Sequence, residues 1–271
     1  MTIFRTAKDV ALPVMNLLKL KSTPIMQQLH LEQRLLRTST ENWCIINQGI
    51  NPPAIVMGTS GNPSELIEIE SVLREGIPVI RRFSGGGTVI VDEGTIFVTL
   101  ICGKDAVPDL QPYPRSIMSW TGELYGKAFE GTADFRLREN DYVFGDLKFG
   151  GNAQSITKDR WLHHTSFLWD YDVRNMTYLR MPRRRPEYRR ARNHKEFLCA
   201  MKNYLPTRST FIAKTIAALE THFSMRQAPS DIENSHRNTE FPNSAVLLTK
   251  LELEEALEFQ RQELEPLLQQ S

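Results

Sequence analysis

The 271-residue sequence predicts an α+β fold. Three observations carry that reading. Short apolar runs of strand length follow one another, often without the helix that a regular βαβ repeat would insert. Apolar residues at helical spacing are confined to a few stretches, chiefly 25–36, 112–129 and 244–268. The hydrophobic fraction is 41%, ordinary for a folded protein, and no apolar run approaches the roughly 18 residues of a membrane span. Lys plus Arg number 33 against 32 Asp plus Glu, which excludes a chain basic throughout or an acidic tail protein. Cys44, Cys102 and Cys199 are far apart and odd in number, which points to a reducing compartment and away from a disulfide framework or a zinc site.

The elements follow in order. Residues 14–20 read as an opening strand. Pro24 then starts a helix bearing Ile25, Met26, Leu29, Leu31, Leu35 and Leu36, with Thr23 as its N-cap. Buried strands at 43–47 and 54–58 flank a turn. Asn62-Pro63-Ser64 opens a helix through Leu66, Ile69, Val72 and Leu73, and Gly76 ends it. Strands are predicted at 79–82, 88–91 and 95–101, a helix at 112–129, and further strands at 135–137, 141–144, 147–155 and 163–169. Beyond Asp172 the pattern turns helical, interrupted by a Pro- and Arg-rich stretch at 180–192. Residues 230–241 read as a polar loop. Residues 244–268 read as one helix whose Leu247, Leu248, Leu251, Ala256, Leu257 and Leu264 pack on the body.

Two motifs carry chemistry. The first is Arg81-Arg82-Phe83-Ser84-Gly85-Gly86-Gly87, leading into Val89 and Asp92. Three glycines between strands either make a flexible hairpin loop or let backbone N–H groups approach a carboxylate or phosphate, with the arginine adding charge. The run is neither a P-loop nor G-x-G-x-x-G. The second is Lys148-Phe149-Gly150-Gly151-Asn152-Ala153-Gln154. A lysine on an apolar strand is either an exposed edge residue or a cation placed to hold an anion and to neutralise charge developing in transfer at phosphorus.

Taken together, and with Gln33-Arg34-Leu35, Ala54-Ile55-Val56-Met57-Gly58, Asn140-Asp141 and Leu162-His163-His164-Thr165 in the same order, these motifs resemble the lipoate–protein ligases of the biotin/lipoate ligase and octanoyl transferase superfamily. The resemblance runs from about residue 15 to 205. It implies a biotin/lipoate-ligase-like catalytic domain of mixed, mostly antiparallel sheets flanked by helices. That domain would span 15–228, with 229–271 a polar loop and C-terminal helix packing on it in place of a full accessory domain. It implies an ATP-dependent enzyme that makes lipoyl-AMP and passes lipoate to a lysine of a lipoyl domain, using ATP and Mg²⁺. The implied catalytic residue is Lys148. Arg82, Ser84, Gly85, Gly86, Gly87, Val89, Asn140, Asp141, Gly151, Asn152 and His164 would bind substrate and adenylate. Asp141 would also meet Mg²⁺ or the adenylate amine. Val79, Val89 and Phe149 are candidates for the wall of an acyl tunnel. The implied partners are lipoyl domains of 2-oxoacid dehydrogenase E2 subunits and the glycine cleavage H protein, with a separate accessory subunit a further expectation. A soluble protein of the mitochondrial matrix or cytoplasm, binding neither nucleic acid nor membrane, fits those partners.

The chain departs from many members at Val91, where they have His, at Thr95, where they have Asn, and at Thr59, where Arg is common. These positions bear on the nucleotide side more than on the acyl side. A second reading keeps the fold and makes the protein an octanoyl or lipoyl transferase working through a cysteine thioester. None of the three cysteines lies in the Pro-Cys-Gly-like context that the lysine-paired branch uses, and the Gly-Arg-Gly-Arg loop of biotin ligases is absent. A third reading, of another class, takes Arg180, Arg183, Arg184, Arg185, Arg189, Arg190 and Arg192 with Tyr178 and Tyr188 as a basic RNA-binding module. The charge balance is a cancellation between this arginine block and the glutamates at 252–265.

Overall fold

The computed structural model describes residues 11–132, 134–229, 232 and 244–268, with side chains described as far as Gln262. Its strands are β1 (Val14–Lys21), β2 (Asn42–Gln48), β3 (Ala54–Met57), β4 (Val79–Arg81), β5 (Val89–Val91), β6 (Thr95–Gly103), β7 (Phe135–Arg138), β8 (Asp141–Phe144), β9 (Leu147–Ile156), β10 (Arg160–Leu168), β11 (Ser224–Gln227) and β12 (Val246–Leu247). Its helices are α1 (Ile25–Thr38), α2 (Pro63–Leu66), α3 (Ile69–Glu75), α4 (Pro114–Phe129), α5 (His194–Phe197), α6 (Arg208–Glu220) and α7 (Lys250–Leu268). The strands form an eight-stranded sheet ordered β11-β1-β2-β6-β10-β9-β8-β7 and a four-stranded sheet ordered β12-β4-β3-β5. Only the pairs β1–β2, β1–β11 and β3–β4 are parallel, so the predicted α+β architecture of mixed, mostly antiparallel sheets is what the chain adopts.

Strand alternation distributes the core. On β6, Ile96, Val98, Leu100 and Cys102 face α4 and α6, where Phe129, Phe149, Phe167 and Phe211 make an aromatic cluster. On the opposite face lie Phe97 and Ile101, against α1 and the small sheet. On β3, Ala54 and Val56 point towards the large sheet while Ile55 and Met57 point towards α3 and α7. The small sheet is therefore apolar on both faces and is clamped between the large sheet and a helical layer.

Several local expectations change. Thr23 does not cap α1. Asn47 on β2 holds its backbone instead, accepting from Thr23 N at 3.3 Å and donating to Thr23 O at 2.9 Å. The helix expected through Leu66 and Val72 divides into α2 and α3, because Ile67 bridges to Leu179 and Glu68 N donates to Tyr178 O. Asn62 and Gly76 do cap this region as predicted, Gly76 at φ 66°. The single helix expected over 244–268 begins only at Lys250, since Val246 and Leu247 pair with β4. Its buried face is Leu253 and Gln260, with Ala256 and Leu257 half-buried, whereas Leu247 and Leu251 are exposed. The Leu264 side chain and most of the polar loop at 230–241 lie outside what is described.

Candidate functional site

The glycine motif links β4 to β5. Its backbone lies directly on the end of β3: a Cβ on Gly58 would stand 2.2 Å from Gly86 O, so Gly58 must lack one. Gly86 has φ 109°, and a side chain there would meet the Arg82 guanidinium. Arg82 is buried at 3% exposure and braces the loop from beneath. Its Nε donates to Ser84 Oγ at 3.1 Å and its Nη2 to Gly85 O at 2.8 Å. Burial pulls its pKa down to about 10, while the Glu32 carboxylate favours the charged form, so the cation persists at neutral pH. Ser84 lies under the loop, while Gly85, Gly86 and Gly87 face the open space above it.

That space is a cleft of about 510 Å³ between the glycine loop and strands β9 and β10. It gathers Arg82, the three glycines, Val89, Asn140, Asp141, Lys148, Gly151, Asn152 and His164, which is every residue expected at the site except Ser84. A register shift between Tyr142 and Val143 bends the β8–β9 pairing where Lys148 emerges. Lys148 Nζ lies 2.7 Å from Asp141 Oδ1, and Tyr188 donates its hydroxyl to Asp141 Oδ2 at 2.8 Å. Asn152 Nδ2 donates to Asn140 O at 2.5 Å and ties β9 to the turn between β7 and β8.

Val56, Val89, Phe97 and Met118 supply the apolar lining. Of the three tunnel candidates, only Val89 lines the cleft. Phe149 sits on the opposite face of β9 within the aromatic core, and Val79 points towards α3. The two histidines divide likewise. His164 reaches the cleft and makes an edge contact with Phe97, ring centroids 5.3 Å apart. His163 is buried on the other face, bonded to Tyr142, Thr165 and Gln154. Burial, and secondarily His164, depress its pKa to about 3, so it is a neutral structural imidazole.

A second cavity of about 260 Å³ adjoins the first, sharing Lys148, Asp141 and Gly87 with it. Ile90, Met176, Leu179 and Phe197 make it apolar, Arg180, Arg184 and Arg189 make it cationic, and His194 adds a neutral imidazole. Burial first, then Arg189 and Lys148, push the His194 pKa down to about 4. Much of the arginine block is thus spent inside the molecule. Arg180 donates to Ser64 O, Arg189 is buried with its guanidinium 4.6 Å over the Phe197 ring, and Arg192 donates to Tyr188 O and Asp146 O. Arg183, Arg184, Arg185 and Arg190 remain exposed.

Sequence reasoning did not single out Glu32, whose carboxylate lies 2.9 Å from His164 Nδ1. Nor did it give Thr88 or Gln154 a role. Both line the cleft with a buried side-chain oxygen, Thr88 Oγ1 and Gln154 Oε1, that has no partner among the described residues. The signal for Glu32 is its spacing: Ile25, Leu29, Glu32 and Leu36 form one face of α1, and a carboxylate in an apolar stripe needs a buried partner.

Residues 24–224 match the family model of the lipoyl protein ligase A/B catalytic domain. The chain is 28% identical over 218 residues to the inactive lipoate–protein ligase 2 of Plasmodium falciparum, covering 67% of this chain and 56% of that protein. It is 31% identical over 154 residues to a putative lipoate–protein ligase A of Aeropyrum pernix, 56% of each chain. This chain thus spans about half the length of the curated relatives it matches. Among solved structures, a putative lipoate protein ligase from Thermoplasma acidophilum with bound lipoic acid superimposes with a TM-score of 0.68 at 16% identity, covering 82% of this chain and 92% of that one. A lipoate–protein ligase A bound with ATP gives 0.68 at 17% identity, covering 83% and 92%. A bipartite ligase of T. acidophilum, described with its E2 lipoyl domain, gives 0.67 at 18% identity, covering 83% and 90%. At these identities the superpositions establish the fold.

Proposed function

The chain belongs to the lipoyl protein ligase A/B catalytic-domain family, and on that premise we propose that it is an ATP-dependent lipoate–protein ligase. The observation that carries the reading is the convergence of Lys148 and the arginine-braced glycine loop on one cleft that opens into a cationic second cavity. One relative is named as inactive, so activity itself is part of the proposal. Lys148, Arg82 and the three glycines are all in place to support it.

In the first step an oxygen of the lipoate carboxylate bonds to the α-phosphorus of ATP, and the α–β bridging oxygen departs with pyrophosphate. Two anions must meet, so the chain's task is to hold cations and N–H donors in position beforehand. Lys148 supplies the charge and Gly85 to Gly87 supply backbone donors with no Cβ in the way. Val56, Val89, Phe97 and Met118 suit the apolar acyl chain. The unpartnered Thr88 Oγ1 and Gln154 Oε1 fit a polar ligand in the same space. Mg²⁺ bound to the nucleotide would neutralise the departing pyrophosphate, and Asp141 with Asn140 fits the oxygen-donor set such an ion takes.

In the second step the amine of an acceptor lysine attacks the acyl carbon. The C–N bond forms, the bond to the phosphate oxygen breaks, AMP leaves and the amine proton passes to solvent. Lys148 stabilises the oxyanion that develops on the carbonyl. The acceptor is proposed to be a lipoyl domain, as in E2 subunits of 2-oxoacid dehydrogenases or the glycine cleavage H protein. The exposed Arg183, Arg184, Arg185 and Arg190 suit an acidic partner.

The cysteines favour the ligase over a thioester transferase. Burial raises the Cys44 pKa to about 12 and the Cys199 pKa to about 11, and pushes Cys102 up as well, so none is a ready thiolate at neutral pH. The deciding experiment supplies an apo lipoyl domain with lipoate and ATP·Mg, or with octanoyl carrier protein and no ATP, and weighs the product. The ligase adds lipoyl mass only in the first mixture. Modification only from the carrier protein makes the enzyme a transferase, and salt-sensitive RNA binding without either product returns the basic-module reading.

A further inference from the structure

We propose that Tyr188 is a positioning residue that sets Lys148 through Asp141. The inference rests on the role given to Lys148 above. Three side chains form a relay from the arginine-rich segment to the cleft: the Tyr188 hydroxyl donates to Asp141 Oδ2 at 2.8 Å, and Asp141 Oδ1 receives Lys148 Nζ at 2.7 Å. Tyr188 and Asp141 are buried, at 7% and 5% exposure, whereas the lysine side chain keeps 25% and reaches the cleft. Among the described residues, Asp141 Oδ2 has no other donor. The carboxylate is thus held at one oxygen and presents the other.

The tyrosine is itself fixed from several sides. The Phe197 ring packs against it with centroids 5.3 Å apart, whereas the Arg138 guanidinium, 4.6 Å over its ring, is half-exposed and does not hold the hydroxyl. Its backbone N donates to Glu139 Oε1 at 3.4 Å, and Arg192 Nη2 donates to its carbonyl at 2.8 Å. A flexible lysine with three rotatable donors is a poor transition-state group unless something aims it. Here the aim comes from a segment some forty residues further along the chain, which also walls the second cavity. Loss of the hydroxyl leaves Oδ2 buried without a donor, and the carboxylate relieves this by rotating towards the cleft, taking Oδ1 off Lys148.

The test is Tyr188→Phe, which keeps the ring, set beside Arg138→Met, which removes the cation over the ring but keeps the hydroxyl. In Tyr188→Phe, kcat for lipoylation falls about tenfold while KM for lipoate and ATP moves by less than about twofold, the size of one lost hydrogen bond felt in the transition state. Mass spectrometry after brief treatment with an amine-acylating reagent shows Lys148 labelled several-fold faster than in the parent. Arg138→Met leaves both kcat and labelling near the parent values. An unchanged kcat in Tyr188→Phe, or an equal fall in Arg138→Met, overturns the proposal. If the parent does not lipoylate at all, the functional reading fails by itself, and the labelling decides this one: Lys148 labelled no faster in Tyr188→Phe overturns it.

Discussion

His164 and Glu32 meet inside the protein, Nδ1 to Oε2 at 2.9 Å, with side-chain exposures of 4% and 0%. The glutamate's other oxygen accepts from Thr99 Oγ1 at 2.6 Å and from Gln28 Nε2 at 2.8 Å, and Gln28 Oε1 accepts from Asn47 Nδ2. The network joins α1 to β2, β6 and β10. It leaves the second imidazole nitrogen free to face the cleft, its orientation set by the carboxylate.

Glu32→Ala therefore removes the partner of a buried imidazole and a carboxylate whose charge favours the Arg82 cation. Leaving the buried groups of this network without their acceptor is expected to cost about 2–3 kcal/mol. Urea denaturation of the purified variant checks this. A variant as stable as its parent would mean that the network holds nothing together.

The glycine loop makes a paired prediction. Gly86 has φ 109°, and a Cβ there stands 2.7 Å from Arg82 Nη2, whereas a Cβ on Gly87 meets nothing within 4 Å. Gly86→Ala is expected to destabilise by about 2 kcal/mol through backbone strain and displacement of the arginine. Gly87→Ala leaves the fold within about 0.5 kcal/mol of the parent. Equal thermal shifts in the two variants would contradict the strain at Gly86.

Stability should fall in mild acid because of His163. Its folded pKa is near 3, against 6.5 when solvated, chiefly through burial. Between those values the unfolded chain binds a proton that the folded protein refuses, so stability rises with pH through that window and is complete above it. The expected loss between pH 7 and pH 5 is about 2 kcal/mol from this residue. His163→Gln, which retains donors and acceptors, should flatten that part of the profile. A parent curve as flat as the variant's would remove His163 as the cause.

The C-terminal helix tests a face. Leu253 is buried against α3, whereas Leu251 is 64% exposed. Leu253→Ala should cost about 2–3 kcal/mol and Leu251→Ala almost nothing, measured by chemical denaturation. The reverse order would restore the face that Leu247 and Leu251 suggest from periodicity.

The fold class was legible in the succession of strand-length apolar runs, and most of the cleft because glycine and lysine are conspicuous where they do not belong. Three glycines between strands and a lysine on an apolar one each demand a local reason, and both reasons lie at the same cleft. What escaped notice depends on partners remote in sequence. Glu32 stands out in sequence only as a carboxylate in the apolar stripe of α1, and its partner His164 lies 132 positions later. Tyr188 sits among arginines that resemble a solvated basic patch, although Arg189 and Arg192 turn inward. The two-residue β12 was hidden by leucines that continue the helical spacing of α7, and only the open edge of β4 gives them another use.

That edge pairing also orders the birth of the protein. Val246 and Leu247 close the outer side of β4, the strand that leads into the glycine loop. A nascent chain emerging from the ribosome lacks this border until residue 247 has left the exit tunnel. Every shorter translation product presents an unpaired β4 edge, a template for association with other chains. The glycine loop thus receives part of its support from a segment synthesised long after it.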